Sequence, residues 1–157
     1  MTKIEESVVI RAPLGKVFTF TNDWRNLKRY FLYVQDITPM TEKTIGVGAR
    51  FSLRVKFLGR MMISNWECIE LLEGVGWTFN TTLMGVTAIK RWHFALEENS
   101  TRVTFTMEYK PFSPLIGNVL DVILIRPEWK RIYKQAFTDL KRLIEAEVAL
   151  SLSSSPA

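Results

Sequence analysis

Apolar and polar positions alternate through the middle of this chain, and the alternation keeps its phase from turn to turn. Ala88, Trp92, Phe94 and Leu96 alternate with Ile89, Arg91, His93 and Ala95. After Glu97-Glu98-Asn99-Ser100, Val103, Phe105, Met107 and Tyr109 alternate with Arg102, Thr104, Thr106 and Glu108. A period of two is the signature of a strand with one buried face. If the four-residue turn pairs Leu96 with Thr101, then Phe94 faces Val103 and Trp92 faces Phe105, so both strands of the hairpin share one aromatic face.

The same parity extends back to Ala49. A tight turn at Gly59-Arg60, pairing Phe57 with Met62, sets Phe51, Leu53, Val55 and Phe57 on one face with Met62, Ser64, Trp66 and Cys68. The loop through Glu73, Gly74 and Gly76 sets Cys68 opposite Phe79 and Trp66 opposite Thr81. A turn at Met84-Gly85 sets Trp77 opposite Trp92 and Phe79 opposite Lys90. Four turns thus carry one apolar face through five strands, and the opposite face is polar. Gly46-Val47-Gly48 and Gly74-Val75-Gly76 lie between strands and read as turns, not as phosphate loops.

The flanks are helical. Ile4 to Arg11 alternates as a strand, and Pro13 opens a short helix carrying Val17, Phe18 and Phe20. Asn22 and Asp23 suit the cap of a second short helix, and Tyr30 to Ile37 reads as a strand. From about Pro114 to Ala149 the period changes. Trp129, Ile132, Tyr133, Ala136, Phe137, Leu140, Leu143 and Ile144 form one helical stripe, which must lie on the aromatic face of the sheet. Pro127 is expected to kink or split this helix after Arg126, leaving Leu115 to Ile125 as a separate, more mobile apolar segment that can act as a lid.

Composition narrows the function classes. The 157 residues suit a single domain over residues 1–150, with 151–157 as a disordered tail. One cysteine, Cys68, excludes an intrachain disulfide; with no charged-then-apolar leader, a reduced cytoplasm is the expected compartment. Val119 to Ile125 is far short of the roughly 20 residues of a membrane span, so a soluble protein is expected. The net charge of +5 is spread along the chain, compatible with transient contact with an anionic membrane and without the aromatic-interleaved clustering of a nucleic-acid surface. The single histidine, His93, falls on the polar face, so neither a zinc site nor a Ser-His-Asp relay can be assembled on the apolar one.

Lys90 is the residue out of place. Parity puts it on the apolar face, where an unpaired ammonium is costly. Three readings stand: a β-bulge turns it outward, it reaches the rim or a carboxylate such as Glu70, or it anchors a polar or acidic ligand head. Tyr109, opposite Ala88, can offer a hydroxyl to the same ligand.

The order strand, two short helices, six-stranded meander and long C-terminal helix resembles the helix-grip fold of the START-like, or SRPBCC, superfamily. Val9-x-x-Ala12-Pro13-x-x-x-Val17-Phe18 with Asp23 and Asn26 resembles its opening, and Trp66-Glu67-Cys68 with Glu70 its central strand. Trp92-x-Phe94 with Thr101-Arg102-Val103-Thr104-Phe105 resembles the hairpin of the polyketide cyclase/dehydrase branch, and the likeness spans residues 3 to about 146. It implies an α+β fold: a seven-stranded curved antiparallel sheet wrapped around the long C-terminal helix, with a hydrophobic cavity between them.

The residues expected to line that cavity are Phe51, Leu53, Val55, Phe57, Ser64, Trp66, Trp77, Phe79, Thr81, Lys90, Trp92, Phe94, Phe105, Met107 and Tyr109 from the sheet, with Leu120, Leu124, Ile132 and Ala136 from the helix. The leading functional reading is a binder or carrier of a lipid, isoprenoid quinone or polyketide-like compound, as a monomer or homodimer without cofactor or catalytic set. An aromatase/cyclase or dehydratase is the enzymatic alternative, with Lys90 or Tyr109 assisting proton transfer, and a groove for a protein segment is the third.

Overall fold

The structure, a computed structural model, describes residues 1–111 and 116–153. Strand β1 (Thr2–Ile10) is followed by helix α1 (Leu14–Asn22), a 3₁₀ turn (Trp24–Asn26) and helix α2 (Leu27–Tyr30). The meander then runs β2 (Val34–Pro39), β3 (Arg50–Phe57), β4 (Arg60–Leu72), β5 (Gly76–Leu83), β6 (Val86–Glu97) and β7 (Ser100–Tyr109). All neighbours are antiparallel in the order β1-β7-β6-β5-β4-β3-β2, so the N-terminal strand closes against the last one. Helix α3 (Ile116–Leu120) passes through a π turn (Asp121–Ile125) into helix α4 (Arg126–Ser153).

The hairpin registers follow the parity of the sequence. Trp92 pairs with Phe105, Phe94 with Val103, Phe79 with Lys90, Trp77 with Trp92 and Cys68 with Phe79. One turn differs: Phe57 pairs with Arg60, not Met62, which faces Val55. The two-residue turn is therefore Leu58-Gly59, both at positive φ, as the twist of a tight hairpin demands, and the face is unchanged because the shift is by two. Met84-Gly85 closes β5 to β6 in the same way. Gly46, Gly48 and Gly74 are all turn residues at positive φ, and none lies at a helix N-terminus.

Tyr30 belongs to α2 rather than to a strand, because Asp23 accepts the Arg25 N–H (3.0 Å) and the chain keeps helical bonding until the Phe31 N–H reaches the Leu27 carbonyl. The interruption expected after Arg126 comes earlier. Pro127 has no N–H for the Ile123 carbonyl, and the ladder widens in the preceding turn, where the Arg126 N–H bonds to the Asp121 carbonyl. Helix α4 continues through Ser151, Leu152 and Ser153, three residues expected in the tail; Pro114, Leu115 and the remaining tail residues 154–157 lie outside the described residues.

The core lies between the concave face of the sheet and α4. Tyr133 stacks on Phe105 (3.8 Å between ring centroids), and Phe137 packs against Trp92 (5.3 Å). At Gly76 the strands approach so closely that a Cβ would meet the Trp92 carbonyl oxygen at 2.0 Å. Gly76→Ala is therefore expected to push β5 off β6 and to cost about 1–3 kcal/mol, read as a lower urea midpoint.

Candidate functional site

The apolar face carries one long side chain with a charge to hide. Lys90 on β6 is 2% exposed, with no bulge between β6 and either neighbour to turn it outward. Its Nζ lies 4.4 Å from the ring centroid of Trp66 on β4, 4.9 and 5.6 Å from those of Trp129 and Tyr133 on α4, and 6.0 Å from that of Tyr33 before β2. No hydrogen bond or ion pair joins Lys90 to any described residue; Glu70, the expected carboxylate, is exposed and accepts instead from Thr78 (3.2 Å). Ring faces offset part of the lost hydration of an ammonium. Burial nevertheless pulls the Lys90 pKa down to about 7.

Beside Lys90 lies a cavity of about 320 Å³. Its walls are Ser64, Thr81, Leu83, Met84, Val86, Ala88, Lys90, Met107, Tyr109, Pro111, Ile125 and Trp129. It sits toward the Met84-Gly85 turn because nearer the middle of the sheet the rings of Tyr133 and Phe137 fill the space under the helix. Most of the wall is hydrocarbon, and its polar groups are largely committed. Ser64 Oγ accepts from Trp66 Nε1 (2.9 Å) and donates to the Thr82 carbonyl (2.8 Å), while Thr81 Oγ1 donates to the Ala88 carbonyl (3.3 Å). The Tyr109 hydroxyl donates to Asp121 Oδ1.

Asp121 is fully buried in the π turn. Thr2 Oγ1 donates to its Oδ2 at 2.6 Å, and Arg126 Nη2 donates to the same oxygen at 2.9 Å. Burial alone would raise its pKa, but the three hydrogen bonds and the Arg126 charge outweigh it and hold the carboxylate below its usual range. Burial and the bond to Asp121 push the Tyr109 hydroxyl upward, keeping it a neutral donor. One carboxylate thereby ties β1, β7 and the C-terminal helix together at the end of the cavity.

The nineteen residues expected to line a cavity divide into four groups. Ser64, Thr81, Lys90, Met107 and Tyr109 line the 320 Å³ cavity. Phe51, Trp66, Trp77, Phe79 and Trp92 line a second, much smaller space of about 50 Å³ under α1 and α2. Leu53, Val55, Phe57, Phe94, Phe105, Ile132 and Ala136 are buried core residues bordering neither space. Leu120 and Leu124 point outward, 46% and 47% exposed, because the extra residue of the π turn rotates the helix and brings Asp121 and Ile125 inward instead. Sequence reasoning missed Tyr33, met Asp121 only as an interruption of the apolar stretch Val119 to Ile125, and saw Trp129 and Tyr133 only as members of a core stripe. Among the described residues no three His, Cys, Asp or Glu side chains cluster to hold a metal ion, and no helix is long and apolar enough to cross a membrane.

Comparison with known proteins agrees with this fold. The sequence model of a family described as polyketide cyclase/dehydrase and lipid transport matches residues 1–145. No curated protein matches the sequence. Among solved structures, an aromatase/cyclase from Streptomyces superposes with a TM-score of 0.81 at 14% identity, covering 94% of this chain and 95% of that one. A protein of Thermus thermophilus gives 0.79 at 20% identity, covering 98% and 100%. A major latex-like protein from Panax ginseng gives 0.71 at 13%, covering 90% and 95%. At these identities the likeness shows the shared fold.

Proposed function

The chain belongs to the polyketide cyclase/dehydrase and lipid transport family, and from that premise we propose that it is a carrier, holding one hydrophobic small molecule in the cavity beside Lys90. The observation that carries this reading is the cavity wall itself: about 320 Å³ bounded mostly by hydrocarbon, with one charged side chain, Lys90, that meets aromatic rings but no hydrogen-bonding or ionic partner among the described residues. Ligand sites are mostly apolar with a few placed polar groups, and an unsatisfied one marks where a ligand's polar end belongs. The rigid sheet on one side and the aromatic helix face on the other fix its shape without any ligand present.

The cyclase reading draws support from one feature. An amine with a pKa near 7 is matched to proton transfer at neutral pH. Chemistry on a carbonyl chain also needs a donor or cation where negative charge develops. Ser64 and Thr81 are engaged with backbone carbonyls and Tyr109 with Asp121, which favours binding over turnover.

Native mass spectrometry of the chain purified from its own host is expected to show a retained small molecule that organic extraction releases. Ala88→Phe, which places a ring in the cavity between Thr81 and Tyr109, is expected to lose it while the protein remains folded. Equal retention by the filled variant would sink the cavity as the binding site.

A further inference from the structure

The described side chains around Lys90 offer hydroxyls and ring faces but no free carboxylate. The Lys90 ammonium has no hydrogen bond or ion pair with any described residue, and the hydroxyls of Tyr33 and Tyr133, whose rings face it, are buried without hydrogen-bond partners among the described residues. The buried carboxylate behind the wall residue Tyr109 is Asp121, and its oxygens are taken by Tyr109, Thr2 and Arg126. A buried cation and two buried hydroxyls, all unmatched, are each costly. One ligand group satisfies a cation in an apolar chamber: a single negative charge that also accepts hydrogen bonds. At roughly 30 Å³ per water-sized group, 320 Å³ admits about ten such groups.

We propose that the molecule held in this cavity is a mostly apolar monoanionic carboxylate of about ten heavy atoms in all, with its carboxylate against the Lys90 ammonium. This rests on the reading of the cavity as a binding site and adds the ligand's charge. Aliphatic and aromatic acids share that chemistry, and the experiment separates them.

Binding is coupled to protonation of Lys90. The other titratable groups nearby do not change charge near neutrality: Tyr33 and Tyr133, whose rings face Lys90, and the wall residue Tyr109 are pushed upward, chiefly by burial, and Asp121 behind Tyr109 stays ionised against Arg126. Above a pKa of about 7 the empty cavity holds a neutral amine that must take up a proton before it can pair with a carboxylate. Affinity for the anion therefore falls as pH rises above 7, approaching about tenfold per pH unit. Affinity for a neutral analogue is flat over the same range.

The test titrates the tryptophan fluorescence of the full chain with decanoate, decanol, naphthoate and naphthylmethanol between pH 6 and pH 9, for the wild type, Lys90→Met and Lys90→Gln. The expected result is an acid bound about tenfold or more tighter than its alcohol at pH 6, a preference that shrinks toward pH 9 and vanishes in both variants while the alcohol still binds. Which acid shows it identifies the aliphatic or the aromatic source. Equal binding of acid and alcohol by the wild type, or a preference that survives in the variants, overturns the inference and leaves the cavity reading standing. Binding of none of the four overturns both.

Discussion

Lys90→Met is expected to make this protein more stable, by about 2–4 kcal/mol at pH 7, a rise of roughly 5–10 °C in melting temperature. In the unfolded chain the lysine titrates at 10.5; in the folded one it titrates at about 7. The proton equilibrium therefore opposes folding by roughly 5 kcal/mol below pH 7, where the ammonium is charged in both states. The ring faces of Trp66 and Trp129, at 4.4 and 4.9 Å, keep that cost from being larger still. Methionine keeps the apolar stem and the volume and removes the charge. Between pH 7 and 10.5 the unfolded state binds more protons than the folded state, so wild-type stability rises with pH across that window. The methionine variant lacks the rise. Urea unfolding at pH 6.5 and pH 9.5 checks both parts; a wild type no more stable at the higher pH would show that Lys90 is not buried without a counter-charge.

Asp121→Ala acts in the opposite direction, with an expected loss of about 3–5 kcal/mol. Removing this carboxylate leaves the Arg126 guanidinium, the Tyr109 hydroxyl and the Thr2 hydroxyl without their acceptor, and each belongs to a different part of the chain. Because the folded pKa of Asp121 is depressed, its contribution is complete above the unfolded value near 3.9 and is lost as pH falls through the folded value, so the wild type sheds it only in acid. Hydrogen exchange is the discriminating measurement: amides of β1 and of the Asp121–Ile125 turn are expected to exchange faster in the variant, with β3 and β4 little changed. Uniform acceleration across the sheet would argue against a local tie.

These two residues mark where the sequence was legible and where it was not. Lys90 was legible because strand parity is local: each hairpin turn fixes the next strand's face, and a register error of two at Leu58-Gly59 leaves the face intact. The fold followed from the same phase-keeping and from the helical stripe Trp129 to Ile144. What the alternation does not encode is how the helix is rotated over the sheet. Trp129 and Tyr133 lie some forty positions after Lys90, and only packing brings their rings to its Nζ. Asp121 reads in sequence as a flaw in an apolar run; the π turn makes it the inward residue and turns Leu120 and Leu124 out. The cavity likewise occupies less of the aromatic face than its composition suggests, because helix rings fill the middle and leave space only toward one end.

The central claim is that a buried, unpaired lysine organises an apolar ligand cavity, and its most direct test is the titration of that lysine. In protein labelled with ¹³C-lysine, followed by the Cε resonances from pH 5 to pH 11 after removal of any bound molecule, one resonance is expected to titrate near 7 and to be missing from Lys90→Met. If no lysine resonance titrates below about 9, the amine is hydrated or paired, and the claim is contradicted.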